Sequence, residues 1–206
     1  MRDLNRYVAI AAALFLWGAG GAKLDDVVLL HDVASIMTPW LALFLVSALM
    51  GQPRPTGVFV STAVGSVGAV VAYYVWKDLA GQGLYVRGLV LWTPAALAAS
   101  ALAASLTIWA RRRPSSAVAF FLAGGGFALG EAAWLLATSN VDASTVLATG
   151  VDVAIAMVLL SLAGRSRAPD APRFVPGGWN LHRLGWLGSG AAFFWIVLLS
   201  IQAFAA

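Results

Sequence analysis

Cysteine is absent from this chain, and histidine occurs only as His31 and His182. Without cysteine there is no disulfide, no thiolate-held iron–sulfur cluster and no thiol nucleophile. The two histidines fall in polar breaks of opposite sidedness, which excludes a paired-histidine haem or a histidine-based zinc centre. Charge is scarce as well: Asp, Glu, Lys and Arg together make up 11% of the residues. The two lysines, Lys23 and Lys77, lie outside the apolar runs, so no span carries an amine for a retinal Schiff base. A phosphate-binding glycine loop is also missing. Gly124-Gly125-Gly126 is embedded in an apolar run and reads as close helix packing. No cofactor and no metal is expected, and an ATP-driven role requires partner subunits. The net charge of +4 is scattered over short breaks and builds no basic face, so nucleic acid is not an expected partner.

What the chain has in abundance is apolar sequence. It is 61% hydrophobic with a mean hydropathy of +0.84, the composition of an integral membrane protein with the lipid bilayer as its main partner. Its 206 residues hold six or seven spans of about 20 residues each. The expected fold is all-α: a single bundle of transmembrane helices over residues 1–206. Seven apolar segments are legible, at 7–22, 33–50, 57–76, 86–110, 117–138, 146–164 and 184–204. The breaks are Lys23 to Asp32, the tight turn Gly51 to Pro55, Lys77 to Arg87, Arg111 to Pro114, Ser139 to Thr145, and the long Gly164 to Arg183. Arg2, Arg6 and Gly20-Gly21-Ala22 around the first segment also fit a cleaved signal peptide, which would leave six spans. We read that segment as a retained helix.

Arginine placement gives the expected orientation. With the N-terminus in the cytoplasm, Arg2, Arg6, Arg54, Arg111, Arg112, Arg113, Arg165, Arg167, Arg173 and Arg183 fall inside, and only Lys23, Lys77 and Arg87 fall outside. Ten basic residues against three is a strong positive-inside bias, and seven spans put the C-terminus outside. Asp25, Asp26, Asp32, Asp78 and Asp142 then collect in the outer breaks. Small residues recur every fourth position at Ser61, Gly65 and Ala69, at Ala95, Ala99 and Ala103, and at Ala9 and Ala13, a spacing that lets helices approach closely in lipid.

Two carboxylates break the apolar pattern. Glu131 lies in the fifth segment and Asp152 in the sixth. An ionisable group within a span costs at least about 2.5 kcal/mol on insertion scales, so it is sheltered and commonly functional. Both lie about seven residues below the outer surface, roughly 10 Å at 1.5 Å per residue. Thr38-Pro39-Trp40 and Trp92-Thr93-Pro94 fall near the same level, where proline frees backbone carbonyls. Trp40, Trp92, Trp134 and Trp195 are deeper than an interfacial aromatic belt, and Trp134 is three residues from Glu131. Glu131, Asp152, Trp134, Trp40, Trp92 and Trp195 are therefore the candidate ligand-binding residues of an outward-facing pocket. Glu131 and Asp152 are also the candidates for catalysis. The bland reading is that the carboxylates only fasten helices and the tryptophans only anchor them.

Two stretches carry a resemblance. Thr38-Pro39-Trp40 through Phe44-Leu45-Val46 to Gly68-Ala69-Val70-Val71-Ala72-Tyr73-Tyr74, and Leu91-Trp92 with the Gly130-Glu131 region, resemble a family of small uncharacterised bacterial multi-spanning membrane proteins over about residues 33–138. That resemblance implies a fold and no activity. The size and the glycine–alanine-rich helices are also similar to the substrate-binding membrane subunits of vitamin importers. Those usually have six spans with both termini inside, unlike the expectation here.

Three functions fit these residues. The first is a membrane-embedded protein that binds or transports a small hydrophobic or cationic ligand, an organic cation among them, because acids beside aromatic faces suit a positive charge. The second is an intramembrane enzyme using Glu131 or Asp152 as general acid, similar to a membrane-embedded terpene cyclase. The third is an accessory subunit that serves a membrane protein partner and has no ligand.

Overall fold

The computed structural model describes residues 2–27, 30–50, 53–83, 85–113, 115–138, 142–165 and 181–205. Arg167 and Arg173, the turn residues Gly51 and Gln52, and Ser139 to Val141 lie outside the described residues. Every described segment of length is α-helical: α1 Arg2–Leu24, α2 His31–Ser35, α3 Thr38–Leu49, α4 Pro55–Lys77, α5 Val86–Arg112, α6 Ser115–Thr138, α7 Ala143–Arg165 and α8 Leu181–Ala205. Six stretches among the described residues are long and apolar enough to cross a bilayer, with α2 and α3 together forming one of them. The seventh predicted segment lies within α8, whose 25 residues span about 37 Å at 1.5 Å per residue. The chain is an all-α, multi-pass membrane protein.

The residues group into two compact units, Met1–Ser35 with Leu43–Arg112, and Ile36–Ala42 with Arg113–Ala206. In the first, α1 and α4 run parallel in close contact. A Cβ on Gly65 would meet the backbone of Ala11, and Gly57 and Gly68 face Tyr7 and Phe15. Of the predicted small-residue stripes, Ser61, Gly65 and Ala69 form this contact and are buried, whereas Ala9 is exposed and α1 presents Ala11 and Leu14 instead. On α5 the buried positions are Ser100, Ala103 and Thr107, and Ala95 is exposed. At one end of this unit the Arg6 guanidinium donates to the Ser47 carbonyl at 3.3 Å, and the Arg54 N–H donates to the Tyr7 hydroxyl at 2.9 Å.

At the opposite end Lys77 Nζ reaches Asp25 at 2.8 Å and Asp26 at 2.7 Å, the Tyr73 hydroxyl donates to Asp25 at 2.9 Å, and His31 Nδ1 lies 2.8 Å from Asp25. Gly81 and Gly83, both at φ +80°, end the turn that follows α4, a backbone setting that favours glycine. Lys77, Asp25 and Asp26, all expected in outer breaks, meet at this end of the unit, and both carboxylates are held in ion pairs.

The second unit packs α6 between α7 and α8. A Cβ on Gly125 would touch Leu160 of α7, while one on Gly126 would collide with the Leu187 carbonyl of α8, and one on Gly190 with the Ala123 carbonyl of α6. The glycine run thus serves close packing on both sides of α6. With Gly125 meeting Leu160 and Glu131 reaching Asp152, α7 runs antiparallel to α6; with Gly126 against Leu187 and Gly130 against Ala191, α8 runs parallel to it. Phe127 and Phe194 pack edge to face, with ring centroids 5.1 Å apart, and Met37, Leu41 and Trp134 lie against them.

Candidate intramembrane acidic site

The predicted second span is not one helix. It stops at Ser35 and restarts at Thr38, with Ile36 and Met37 between. Pro39 explains the break. Its nitrogen has no N–H to continue the α2 ladder, and its ring disfavours helical geometry at the residue before it. The expectation of a mid-helix proline that frees a carbonyl is corrected here: Pro39 occupies the first turn of α3, where its missing N–H costs nothing.

A restart inside an apolar span leaves first-turn N–H groups without carbonyl partners, and no water is at hand to bond them. Glu131 of α6 supplies the acceptors. Its Oε1 accepts from the Met37 N–H and its Oε2 from the Thr38 N–H, both at 2.8 Å. The carboxylate also sits at the positive end of the α3 dipole, which favours its charge. Gly130 lets this part of α6 lie against Ala191 and Phe194 of α8. Glu131 is 3% exposed, and its hydrogen-bonding capacity is directed at the backbone of the broken span.

Asp152 is different. It lies on α7 within electrostatic reach of Glu131, with the Thr38 hydroxyl beside it. It is 0% exposed, and neither Oδ1 nor Oδ2 has a hydrogen-bond partner among the described residues. The Thr38 hydroxyl is likewise buried and is the hydrogen-bonding group set against Asp152, in a looser geometry than the other bonds of this unit. A second such hydroxyl, that of Thr149, is one helical turn before Asp152 on α7 and has no hydrogen-bond partner among the described residues. Other mid-helix hydroxyls behave in the ordinary way. Those of Thr62, Ser66, Ser100, Thr107 and Ser161 turn back to a carbonyl four residues earlier. The basic residues described on α6, α7 and α8 are Arg165 and Arg183, both near helix ends. Nothing described in the spans of this unit therefore carries a positive charge opposite Asp152.

The structure brings together some of the predicted residues and not others. Glu131, Asp152 and the α3 restart share the second unit. Trp40 is half-buried on the first turn of α3. Trp134 packs its ring against Phe194, with centroids 6.3 Å apart. Trp195 is 41% exposed, because Phe194 takes the interior position beside it. Trp92 belongs to the first unit and is 44% exposed on α5. Sequence reasoning passed over Thr149, although its spacing of three from Asp152 was visible. It noted Thr38 only as the neighbour of a proline. Among the described residues no group of three His, Cys, Asp or Glu side chains is arranged to hold a metal. No protein-family model, curated protein or solved structure matches the chain.

Proposed function

We propose that this chain is a membrane-embedded binding or transport protein for a small cationic species, with Asp152 as the residue that meets the positive charge. One observation carries the reading: a fully buried carboxylate with both oxygens unpartnered. Leaving an uncompensated charge in that place costs several kcal/mol, a cost that either a proton or a bound positive species removes. Glu131 acts in support, holding the α3 restart and the Thr38 hydroxyl beside Asp152. Spans broken near a buried ion site are a recurring feature of secondary transporters, which makes transport the natural extension of binding. The arginine bias orients the N-terminus to the cytoplasm and the C-terminus outside.

The cyclase-like reading has less support. Glu131 is occupied by the α3 backbone, and Trp92 and Trp195, offered for carbocation stabilisation, are exposed. The accessory-subunit reading describes Glu131 well but leaves Asp152 without a role. The test is ligand-dependent thermal stabilisation in detergent. Inorganic cations, organic cations and neutral analogues of matched size are compared on wild type and Asp152→Asn. Cation-selective stabilisation of the wild type, lost in the variant, is the expected result. Equal stabilisation by neutral and cationic compounds, or by none, overturns the proposal.

A further inference from the structure

We infer that the site at Asp152 exchanges its cation for a proton, so that a neutral carboxyl group fills the site whenever the cation is absent. This rests on the reading of Asp152 as a cation site and adds what takes the cation's place. Two buried carboxyl groups share the second unit, and their surroundings assign one negative charge between them. Each oxygen of Glu131 accepts a backbone N–H at 2.8 Å. An acceptor-only carboxylate suits two such donors, and the end of the α3 dipole favours its charge. Glu131 is therefore the anion of the pair. Asp152 receives no N–H, and the hydrogen-bonding group set against it is the Thr38 hydroxyl.

An empty, ionised Asp152 would set a second negative charge beside Glu131 at 0% exposure. A buried charge is tolerated when it is paired, and an unpaired carboxylate takes up a proton instead. A proton needs no cavity, which suits a carboxyl group so enclosed; a larger cation enters only when the groups around Asp152 part. The Thr38 hydroxyl has one donor and two lone pairs, so it can accept from a neutral Asp152 and donate to an ionised one. When the cation binds, the Asp152 O–H bond breaks, its electron pair stays on the carboxylate to face the cation, and the proton leaves to water. The charge at Asp152 is then balanced in either loaded state. One carboxyl group accommodates the proton or the cation and not both, which ties the loss of one to the arrival of the other.

Few other described groups of this unit could take that proton or oppose it. From α6 comes Glu131, engaged by Met37 and Thr38, and the first turn of α3 brings no ionisable side chain. Along α7, Asp142 stands ten residues before Asp152 and Arg165 thirteen after it, about 15 Å and 20 Å away at 1.5 Å per residue. Asp142 is occupied with the Thr145 N–H at 2.9 Å, and Arg183 lies near the start of α8. Thr38 joins the two acids: its N–H is held by Glu131 and its hydroxyl faces Asp152. Exchange at Asp152 therefore acts on the restart of α3.

Full-length protein in detergent provides the test, with sodium, potassium, tetramethylammonium and tetraphenylphosphonium chlorides as probes. Before any probe is added, infrared spectra at neutral pH should show the C=O stretch of a protonated carboxyl group in wild type and not in Asp152→Asn. A probe that stabilises the wild type should remove that band and release about one proton per cation to a pH indicator. Its affinity should fall about tenfold for each pH unit of acidification while Asp152 holds its proton. Band loss and proton count are read on wild type alone, so the test does not depend on the folding of the variant. A band absent from wild type, or kept in Asp152→Asn, overturns the proton assignment. Probes that bind through Asp152 yet leave the band and release no proton overturn the exchange, while the cation-site reading stands. A wild type that shows the band and responds to none of the probes overturns both.

Discussion

Glu131→Gln removes one acceptor from the α3 restart and sets an amide NH2 against a backbone N–H. The wild-type carboxylate makes two charge-assisted bonds at 2.8 Å, to Met37 and Thr38. A net hydrogen bond to a charged group contributes about 1.5–3 kcal/mol, and an orphaned buried N–H carries a desolvation penalty of about 1–3 kcal/mol. Glutamine keeps one acceptor, so the substitution should cost about 2–3 kcal/mol, and Glu131→Ala, which strips both N–H groups, about 3–5 kcal/mol. Reversible unfolding in mixed detergent micelles measures both. The order Ala below Gln below wild type is expected, with Met37 and Thr38 amide protons exchanging faster in the variants. If Glu131→Gln unfolds at the wild-type midpoint and leaves that exchange unchanged, the carboxylate does not hold the restart and the account of the broken span fails.

Three further outcomes follow from packing and charge. Gly126→Ala drives a Cβ into the Leu187 carbonyl and should cost about 1–3 kcal/mol in the same unfolding assay. Gly150→Ala, where a Cβ meets nothing within 4 Å, should be neutral or stabilise by up to about 1 kcal/mol. Burial works to raise the pKa of Asp25, but the hydrogen bonds from Lys77 and Tyr73 and the charges of Lys77 and His31 outweigh it and hold the carboxyl below its ordinary value of 3.8. A carboxyl lowered on folding stabilises above its unfolded pKa and loses that contribution as pH falls through the folded value. Wild type should therefore exceed Asp25→Asn in stability at neutral pH and lose the advantage progressively below about pH 4, as measured by unfolding across pH.

Much of this was legible in the sequence because lipid imposes strong constraints. Apolar runs of about 20 residues have few alternatives to helices, and every expected span but the broken second one falls within a single helix. The glycine run of α6 was readable as packing for the same reason. The break at Ile36–Met37 was not legible, since residues 33–50 are apolar throughout and hydropathy does not report backbone continuity. Thr38-Pro39 marked the place, but a proline within a helix and a proline opening one have the same local sequence. The role of Glu131 depended on that break: without free N–H groups at α3 there is nothing for its carboxylate to cap. The direction of the tryptophan rings was not legible for a related reason. Depth along a helix follows from sequence position, whereas the direction of each ring depends on which neighbour the helix meets, and at positions 194 and 195 the interior place goes to Phe194.

The central claim is that Asp152 is a buried carboxylate kept for a positive species and not for the fold. Unfolding free energies of wild type and Asp152→Asn, measured in choline buffer without sodium or organic cations, test it most directly. The account predicts that the variant matches or exceeds wild type, because it removes a buried charge and keeps an oxygen that can accept from the Thr38 hydroxyl. A loss of about 3 kcal/mol or more would show that Asp152 holds a structural partner, and would contradict the account.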